Sequence, residues 1–234
     1  MAFEPASSGD PGTLATTDGR LPGRRGRATR QRLLECTAEL LATTPWRSIT
    51  VIDIARLAGL SPATFYQYFE NVEQAILVLA EELVEGAGAI TELVLGDWSN
   101  SSSWQTARQV VDGFLTFWET NRDVFRVVEL ATDEGDLRFR GLRVRTLNAL
   151  TVALAEVITT NAPAGNGVAG DDPMAVAGSL IAMLVHVAAR RSGFEDWGIR
   201  TASLVDSQAR ILHWAVTGRT APPASPARDP AAEP

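Results

Sequence analysis

The stretch 50–69 constrains the fold most, because it carries the start and stop signals of two consecutive helices. Thr50 followed by Asp53 is a T-x-x-D signal, in which a side-chain oxygen caps the helix start and an acid lies near its positive end. Gly59 stands where a helix ends through a left-handed residue. Ser61 is a second N-cap, and Pro62 fits the first helical position. Two helices joined by a Gly-containing turn within 20 residues predict a helix-turn-helix.

Helical periods also dominate the rest of the chain, and no alternating strand pattern stands out. The periods and caps predict further helices at about 28–43, 71–95, 102–120, 123–133, 136–160, 173–191 and 198–217. The predicted fold class is therefore all-α, with an N-terminal three-helix head and a C-terminal helical body. Both ends and the segment 161–172 lack helical periods. The predicted organisation is a disordered Arg-containing arm (1–26), a helix-turn-helix domain (27–70), a helical body (71–217) and a disordered tail (218–234).

Charge is unevenly distributed along this chain of 234 residues, whose formal net charge is −7. Residues 20–69 carry eight Arg and three acids, whereas residues 70–234 carry 13 Arg and 22 acids. A basic head on an acidic body indicates that the head meets phosphate. The alternative is that the Arg-rich lead-in is merely solvated and unstructured.

Several classes of protein are excluded by what the sequence lacks. A single Cys allows no internal disulfide framework, and with no signal peptide at the start we expect a cytoplasmic protein. The longest apolar run, Met174 to Ala189, has 16 residues, fewer than the roughly 18 to 20 needed to span a bilayer. We find no catalytic or nucleotide-binding motif, and His186 and His213 are not spaced as a metal pair. We therefore predict no enzyme activity, no metal and no cofactor.

Residues 50–77 resemble the DNA-binding domain of the TetR family of transcriptional regulators. The family pattern is T-x-x-x-I-A-x-x-A-G-[VL]-S-x-x-[TS]-[FL]-Y-x-[YH]-F. It is matched by Thr50, Ile54, Ala55, Ala58, Gly59, Leu60, Ser61, Thr64, Phe65, Tyr66, Tyr68 and Phe69. This chain departs from the family at Val72, which stands before Glu73 where the family usually has a phosphate-contacting Lys. The departure puts one phosphate contact per subunit in doubt, and the Arg-rich arm could compensate.

The resemblance implies nine helices, a DNA-binding head, an effector-binding body and a homodimer formed through the last two helices. Residues 104–125 and 211–216 also look similar to the EthR-like branch of the family, which implies elongated apolar ligands.

A short capped helix presents its first residues to base edges in the major groove. Ala63 and the Thr64 methyl group can touch a thymine methyl group, and Gln67 can pair with adenine. Backbone N–H groups at the two helix starts suit phosphate. The predicted DNA-binding residues are Arg24, Arg25, Arg27, Arg47, Thr50, Ser61, Pro62, Ala63, Thr64, Tyr66, Gln67 and Tyr68.

The aromatic residues of the second helix divide between core and surface. Phe65 and Phe69 are four apart and share one face, which we expect to point into the head core. Tyr66 can then reach base or phosphate, and Tyr68 phosphate, the alternative being that both are core aromatics. Arg56 supports the DNA contact or is simply solvated.

The body carries large or soft residues with few polar groups among them, and such a set can line an apolar pocket. The predicted effector-binding residues are Trp104, Phe114, Phe117, Trp118, Phe125, Asn148, Met183, His186 and Trp214. Asn148 or His186 would orient the ligand. For each apolar member of the set, plain core packing is the alternative.

The segment 173–191 is apolar nearly all round, so we expect it to be buried against its own body and a partner. In 198–217, Leu204, Ile211, Leu212 and Ala215 form one flank. Together the two segments predict a four-helix dimer interface with two-fold symmetry, and hence a palindromic operator.

The sequence thus predicts a repressor that binds double-stranded DNA and is released when a small apolar effector tilts the fourth helix. Gly86 and Gly88 would make that helix compliant. The alternative is an architectural DNA-binding protein without an effector. No residue decides between a repressor and an activator.

Overall fold

The computed structural model describes Thr17, residues 23–161 and residues 172–221. Predictions that fall on 1–16, 18–22, 162–171 and 222–234 lie outside these residues. The described part contains ten α-helices and no strand, which confirms the predicted all-α class. The helices are α1 (Arg24–Thr43), α2 (Val51–Ala58), α3 (Pro62–Tyr66), α4 (Val72–Val94), α5 (Ser103–Thr120), α6 (Arg122–Asp133), α7 (Leu137–Asn161), α8 (Pro173–Ala189), α9 (Arg191–Asp196) and α10 (Thr201–Thr217).

Side-chain caps fix the starts of several helices, as the sequence predicted. The Thr50 hydroxyl accepts from the Asp53 N–H while the Asp53 carboxylate accepts from the Thr50 N–H, which is a complete capping box. The Ser61 hydroxyl caps α3. Asn71 accepts from the N–H of Gln74 at 2.8 Å before α4.

The first helix begins earlier than predicted. We expected residues 1–26 to be a disordered arm and helix 1 to start near residue 28, but α1 starts at Arg24. The prediction is therefore wrong for the last three residues of the arm. Arg favours helices, and the added turn is closed by hydrogen bonds from the Arg27 N–H to the Gly23 carbonyl and from the Thr29 hydroxyl to the Arg25 carbonyl.

The second helix of the predicted helix-turn-helix is shorter than expected, since α3 ends at Tyr66 although helical residues were predicted through Phe69. The N–H groups of Gln67 and Tyr68 donate three residues back, to Thr64 and Phe65, which tightens the last turn and stops the helix.

The end of the chain also differs from the nine-helix expectation, because an additional short helix, α9, precedes α10. Phe194 in α9 packs edge-on against Trp197 at 5.7 Å, and Gly198 turns the chain with a φ of 78°. That turn places the start of α10 at Thr201 rather than near 198. Such a one-turn helix carries too little periodicity to be recognised in a sequence.

The chain divides into two compact units. The first unit is Met1–Gly86 with Thr120–Thr146, and the second is Ala87–Glu119 with Leu147–Pro234. This division differs from the boundary predicted between residues 70 and 71, because the first part of α4, α6 and the start of α7 belong with the head.

Within the first unit, α1 packs on α2 and on α6. Arg126 of α6 donates to the carbonyl of Leu41 at the end of α1, at 2.7 Å. The core of this unit includes the fully buried Leu33, Leu34, Ile54, Phe65, Phe69 and Ile76. Cys36 is buried among them as a small apolar residue, as predicted, and burial raises the pKa of its thiol.

Within the second unit, α8 packs against α10. Gln208 of α10 is buried, and its amide donates to the Met183 carbonyl of α8 at 3.5 Å. The core of this unit includes the buried Phe114, Leu150, Leu154, Ile158, Leu184, Leu212 and Val216. No helix in the described part of the chain is both long enough and apolar enough to cross a membrane.

Candidate nucleic-acid interface

The turn between α2 and α3 is set by Gly59, which adopts φ 70° and ψ 31°. This left-handed conformation favours Gly, since a Cβ would strain it. The N–H groups of Gly59 and Leu60 return to the carbonyls of Arg56 and Ala55 at 3.1 and 2.9 Å. The Gly thus closes α2 and redirects the chain into α3, as its place in the sequence predicted.

The two faces of α3 have opposite characters. Phe65 and Phe69 are fully buried with ring centroids 5.4 Å apart, which confirms that they point into the core. Tyr66 on the other face is 52% exposed, and Gln67 beside it is exposed. Tyr68 is half-buried. The core face therefore holds the helix while its other face stays open to a ligand.

The start of α3 is also exposed at Pro62 and Ala63, whereas Thr64 is half-buried. The Ser61 hydroxyl accepts from the Thr64 N–H at 3.2 Å, and the two hydroxyl groups lie 3.0 Å apart. Both hydroxyl groups therefore serve the cap, which leaves Pro62, Ala63 and the Thr64 methyl group as the apolar part of this surface.

Thr17 is a residue that sequence reasoning missed. Its N–H donates to the Gln67 carbonyl at 2.9 Å, and its hydroxyl donates to the Tyr66 carbonyl at 3.0 Å. These carbonyls lie at the end of α3, where a helix leaves its last carbonyls without partners, so Thr17 caps α3 at its C-terminal end. No local signal reveals a contact across 49 residues.

Thr50 does not present its backbone N–H to a phosphate as we expected. That N–H donates to the Asp53 carboxylate at 3.1 Å, and the Thr50 hydroxyl donates to the same oxygen at 2.5 Å. These hydrogen bonds, led by the one from the hydroxyl, hold the pKa of Asp53 below its usual range. Both donors of Thr50 are therefore occupied, and a carboxylate lies beside them.

The predicted arginines fall into two groups. Arg24, Arg25 and Arg27 lie exposed on the first turn of α1 rather than on an unstructured arm. Arg47, in the turn after α1, stacks its guanidinium 4.5 Å from the centre of the Trp46 ring and pairs with Glu134. The Arg47 side chain is thus paired with residues of the first unit, Trp46 and Glu134, and sequence reasoning did not predict these contacts.

The departure at Val72 has a structural counterpart. Val72 is the half-buried first residue of α4, and Glu73 next to it pairs with Arg138 at 2.8 Å. Arg138 also pairs with Asp136 and lowers the pKa of that carboxyl to about 2. The start of α4 is thus held by an ion pair to α7, and it carries no cation of its own.

The predicted effector-binding residues differ in burial and in the unit to which they belong. Phe125 belongs to the first unit and the others to the second. Asn148, His186 and Trp214 are exposed, so they do not line an enclosed apolar site in the single chain. Phe114 and Trp118 are buried and stacked with centroids 6.2 Å apart. The remaining members, Trp104, Phe117 and Met183, are half-buried.

The buried histidine of the second unit is His213, whereas His186 is exposed. His213 lies 3.1 Å from the Ser103 hydroxyl and packs edge-on against Trp104 at 6.0 Å. Burial lowers its pKa, and a hydrogen bond with the backbone of Arg219 opposes that shift. This pairing of α5 with α10 is a long-range contact that periodicity does not reveal.

Comparison with known proteins decides the family. Residues 33–74 match the family described as "Bacterial regulatory proteins, tetR family". Residues 90–223, more than half of the chain, match "Tetracyclin repressor-like, C-terminal domain". The chain belongs to the TetR family of transcriptional regulators. This confirms the predicted family, which is one of DNA-binding regulators and not of enzymes.

Individual relatives place this TetR-family regulator further. It is 27% identical to the HTH-type transcriptional regulator EthR of Mycobacterium tuberculosis over 209 residues, which cover 75% of this chain and 94% of EthR. It is also 27% identical to the nucleoid occlusion factor SlmA of Shewanella baltica over 99 residues, 42% of this chain and 49% of SlmA.

Two solved structures show the same fold. The fatty acid degradation regulator FadR of Bacillus halodurans has a TM-score of 0.62 and 17% identity, covering 82% of this chain and 96% of FadR. FadR of Bacillus subtilis, solved in complex with stearoyl-CoA, has a TM-score of 0.60 and 16% identity, covering 81% of this chain and 98% of that one.

Proposed function

We propose that this TetR-family regulator is a repressor that binds a palindromic operator as a homodimer and is released by a small apolar effector. We place it in the cytoplasm, where its proposed DNA partner lies. The observation that carries the proposal is the exposed face of α3. The opposite face is anchored by the buried Phe65 and Phe69, and the helix is capped at both ends.

On DNA, the exposed side chains of α3 would meet base edges in the major groove. The exposed arginines at the start of α1, Arg24, Arg25 and Arg27, would meet backbone phosphates. They would supply the cation that the start of α4 lacks. Binding would then weaken steeply as salt is raised, since each phosphate contact releases counterions.

Dimerisation is supported by apolar side chains left exposed on the helices predicted to form it. Ile211 and Trp214 of α10 are 44% and 49% exposed and, being three residues apart, share one face. Met174 of α8 is 48% exposed. Leu204, Leu212 and Ala215, expected on the same flank as Ile211, are buried within the chain.

The dimer can be tested by placing a charge at that face. We expect Ile211→Arg to be monomeric in sedimentation velocity while the wild type is dimeric, because an unpaired charge would be buried at the interface. Val144→Arg is the matched control, since Val144 is 54% exposed on α7 in the first unit. A dimeric Ile211→Arg protein would contradict the proposed interface.

An apolar effector is supported by the fold neighbour that was solved with stearoyl-CoA, a ligand with a long acyl chain. In the second unit, which would bind it, Phe114 and Trp118 are buried and stacked on each other. Because α4 is one continuous helix with residues in both units, a ligand that moves it would also move the head.

A selection experiment tests the DNA-binding proposal. Double-stranded DNA with a random 30-base-pair centre is enriched on the purified full chain, and the recovered sequences are ranked. We expect one palindrome to be enriched, and fluorescence anisotropy should then show two chains per duplex. Recovery of no preferred sequence would overturn the operator and favour an architectural DNA-binding protein.

The same labelled operator then tests release and repression. Fatty acids and acyl-CoAs of graded chain length are added to the complex, and we expect the longer chains to lower the anisotropy. On a template that carries the operator within its promoter, added protein should reduce transcript and the releasing ligand should restore it. A ligand that binds the chain but leaves the operator bound would contradict the coupling.

A further inference from the structure

We infer that the base pairs read directly by α3 are A·T pairs, recognised through a thymine methyl group and an adenine edge rather than through guanine. This inference rests on the proposed function and concerns the sequence that the same site prefers. It is carried by an inventory of the chemical groups on α3 and of the contacts that hold the neighbouring arginines.

The segment 61–69 contains no Arg, Lys, Asp or Glu. Guanine is most often read by the forked donors of Arg or by Lys, and cytosine by a carboxylate. The exposed groups of α3 are instead a pyrrolidine ring, a methyl group, a phenol and an amide, from Pro62, Ala63, Tyr66 and Gln67. Neither guanine nor cytosine finds its usual partner on this helix.

The arginines nearest to α3 along the chain are held elsewhere. Arg47 pairs with Glu134 and stacks on Trp46. Arg56 lies 3.7 Å from Asp53 on its own helix, and Arg32 lies 3.7 Å from Glu35 on α1. Arg30 lies over the Phe69 ring at 5.3 Å. A guanidinium group from this part of the head would have to leave a partner before it could read a guanine.

The hydroxyl groups of Ser61 and Thr64, at the start of α3, are also committed. They lie 3.0 Å apart, and the Ser61 hydroxyl accepts the Thr64 N–H. What the start of α3 offers to a base edge is therefore apolar. The apolar group on a major-groove edge is the C5 methyl of thymine, which fits Ala63 and Pro62.

Gln67 supplies the second proposed contact, the one to adenine. It is the C-cap residue of α3 and keeps a helical conformation, so its side chain lies on roughly the same side as that of Ala63, about one turn further along. Its amide can donate to N7 and accept from N6 of adenine in a bidentate pair. With about 3.4 Å between successive base pairs of one strand, this adenine lies within about two base pairs of the thymine.

The test uses the operator recovered by the selection above, with single-atom changes in one half-site. Each thymine is replaced in turn by deoxyuridine, which keeps pairing but lacks the methyl group. Each adenine is replaced in turn by 7-deazaadenine, which lacks N7. Binding is measured by anisotropy for the wild type, Ala63→Gly and Gln67→Leu, with Ala149→Gly as a control for the loss of a methyl group on the exposed face of α7.

We expect one deoxyuridine position to weaken wild-type binding about fourfold, the equivalent of one buried methyl group. Ala63→Gly should bind that duplex and the unmodified operator equally, while Ala149→Gly keeps the fourfold difference. One 7-deazaadenine position should cost about tenfold in the wild type and nothing further in Gln67→Leu.

The outcomes separate this inference from the proposed function. If the selection yields no preferred sequence, the proposed operator itself is overturned. If the selection yields a palindrome, the operator stands. Direct A·T readout by α3 is then overturned by either of two results: no deoxyuridine or 7-deazaadenine weakens binding, or the modified positions weaken binding of both α3 variants as much as that of the wild type.

Discussion

The α2–α3 pair of the first unit and the α8–α10 region of the second are both helical, but different interactions define them. Each end of α2 and the start of α3 are fixed by residues within three or four positions, namely Thr50, Asp53, Gly59 and Ser61. The start of α10 has no side-chain cap, and its residues are placed by distant partners such as Ser103, which contacts His213. Local chemistry sets the turn between α2 and α3, whereas the start of α10 depends on tertiary contacts. Within the second region, the Asp172 cap of α8 and the left-handed Gly218 after α10 are local signals of the same kind as those in the first.

The largest expected effect comes from removing the core that supports α3. Phe65→Ala should lower the free energy of unfolding by about 3–5 kcal/mol, because Phe65 is fully buried against Phe69. Urea denaturation followed by circular dichroism measures it. Phe194→Ala, at a half-buried position in α9, is the control and should cost clearly less. Equal losses would remove the distinction between the two regions.

The same substitution at two glycines sharpens the comparison. Gly59→Ala should destabilise by about 1–2 kcal/mol, because φ is 70° there. Gly88→Ala in α4 should stabilise by about 1 kcal/mol, because a Cβ there meets no atom within 4 Å and Ala favours helices. Thermal and urea denaturation of both variants would show the opposite signs, and a shared sign would contradict the local origin of the turn.

Helix caps offer a third comparison, in which removing a cap should lower the free energy of unfolding by about 1 kcal/mol and adding one should raise it by a similar amount. Thr50→Ala should destabilise because it removes the oxygen that caps α2. Arg200→Asp should stabilise, since Arg200 has the extended conformation of an N-cap residue but no capping side chain. Urea midpoints of both variants test this. A neutral Thr50→Ala would show that packing, not the cap, fixes the start of α2.

The smallest effect is a pH dependence in the second unit. Because burial lowers the pKa of His213, the folded chain binds that proton less readily than the unfolded chain does. The free energy of unfolding should therefore fall as the pH drops through about 6.5, the usual value for His. His213→Gln should show a shallower fall between pH 7 and 5. If the free energies of unfolding of the wild type and of His213→Gln fall in parallel with pH, the pH dependence does not come from His213.

The same contrast explains what the sequence could predict. The caps of α2, α3 and α4, the left-handed Gly59 and the inward Phe65 and Phe69 depend on neighbours a few residues away, and all are confirmed. These features position the candidate DNA-reading face, so that part of the site was predictable.

Contacts between residues far apart in the chain were not predictable. Thr17 on the end of α3, Arg47 with Glu134 and Ser103 with His213 join residues 49 to 110 positions apart. The set predicted to bind an effector is limited by the same fact and stays a prediction. Helical periodicity tells which residues are apolar, but the packing of helices decides which of them face each other.

The claim that the exposed face of α3 reads DNA is tested most directly by two aromatic truncations. Tyr66 is 52% exposed on α3, and Trp197 is 78% exposed in the second unit. Anisotropy with the selected operator should show at least about a tenfold loss of affinity for Tyr66→Ala. Trp197→Ala should match the wild type, and both variants should unfold at wild-type urea concentrations. Unchanged operator affinity in Tyr66→Ala, or an equal loss in Trp197→Ala, would contradict the claim that the exposed face of α3 reads DNA.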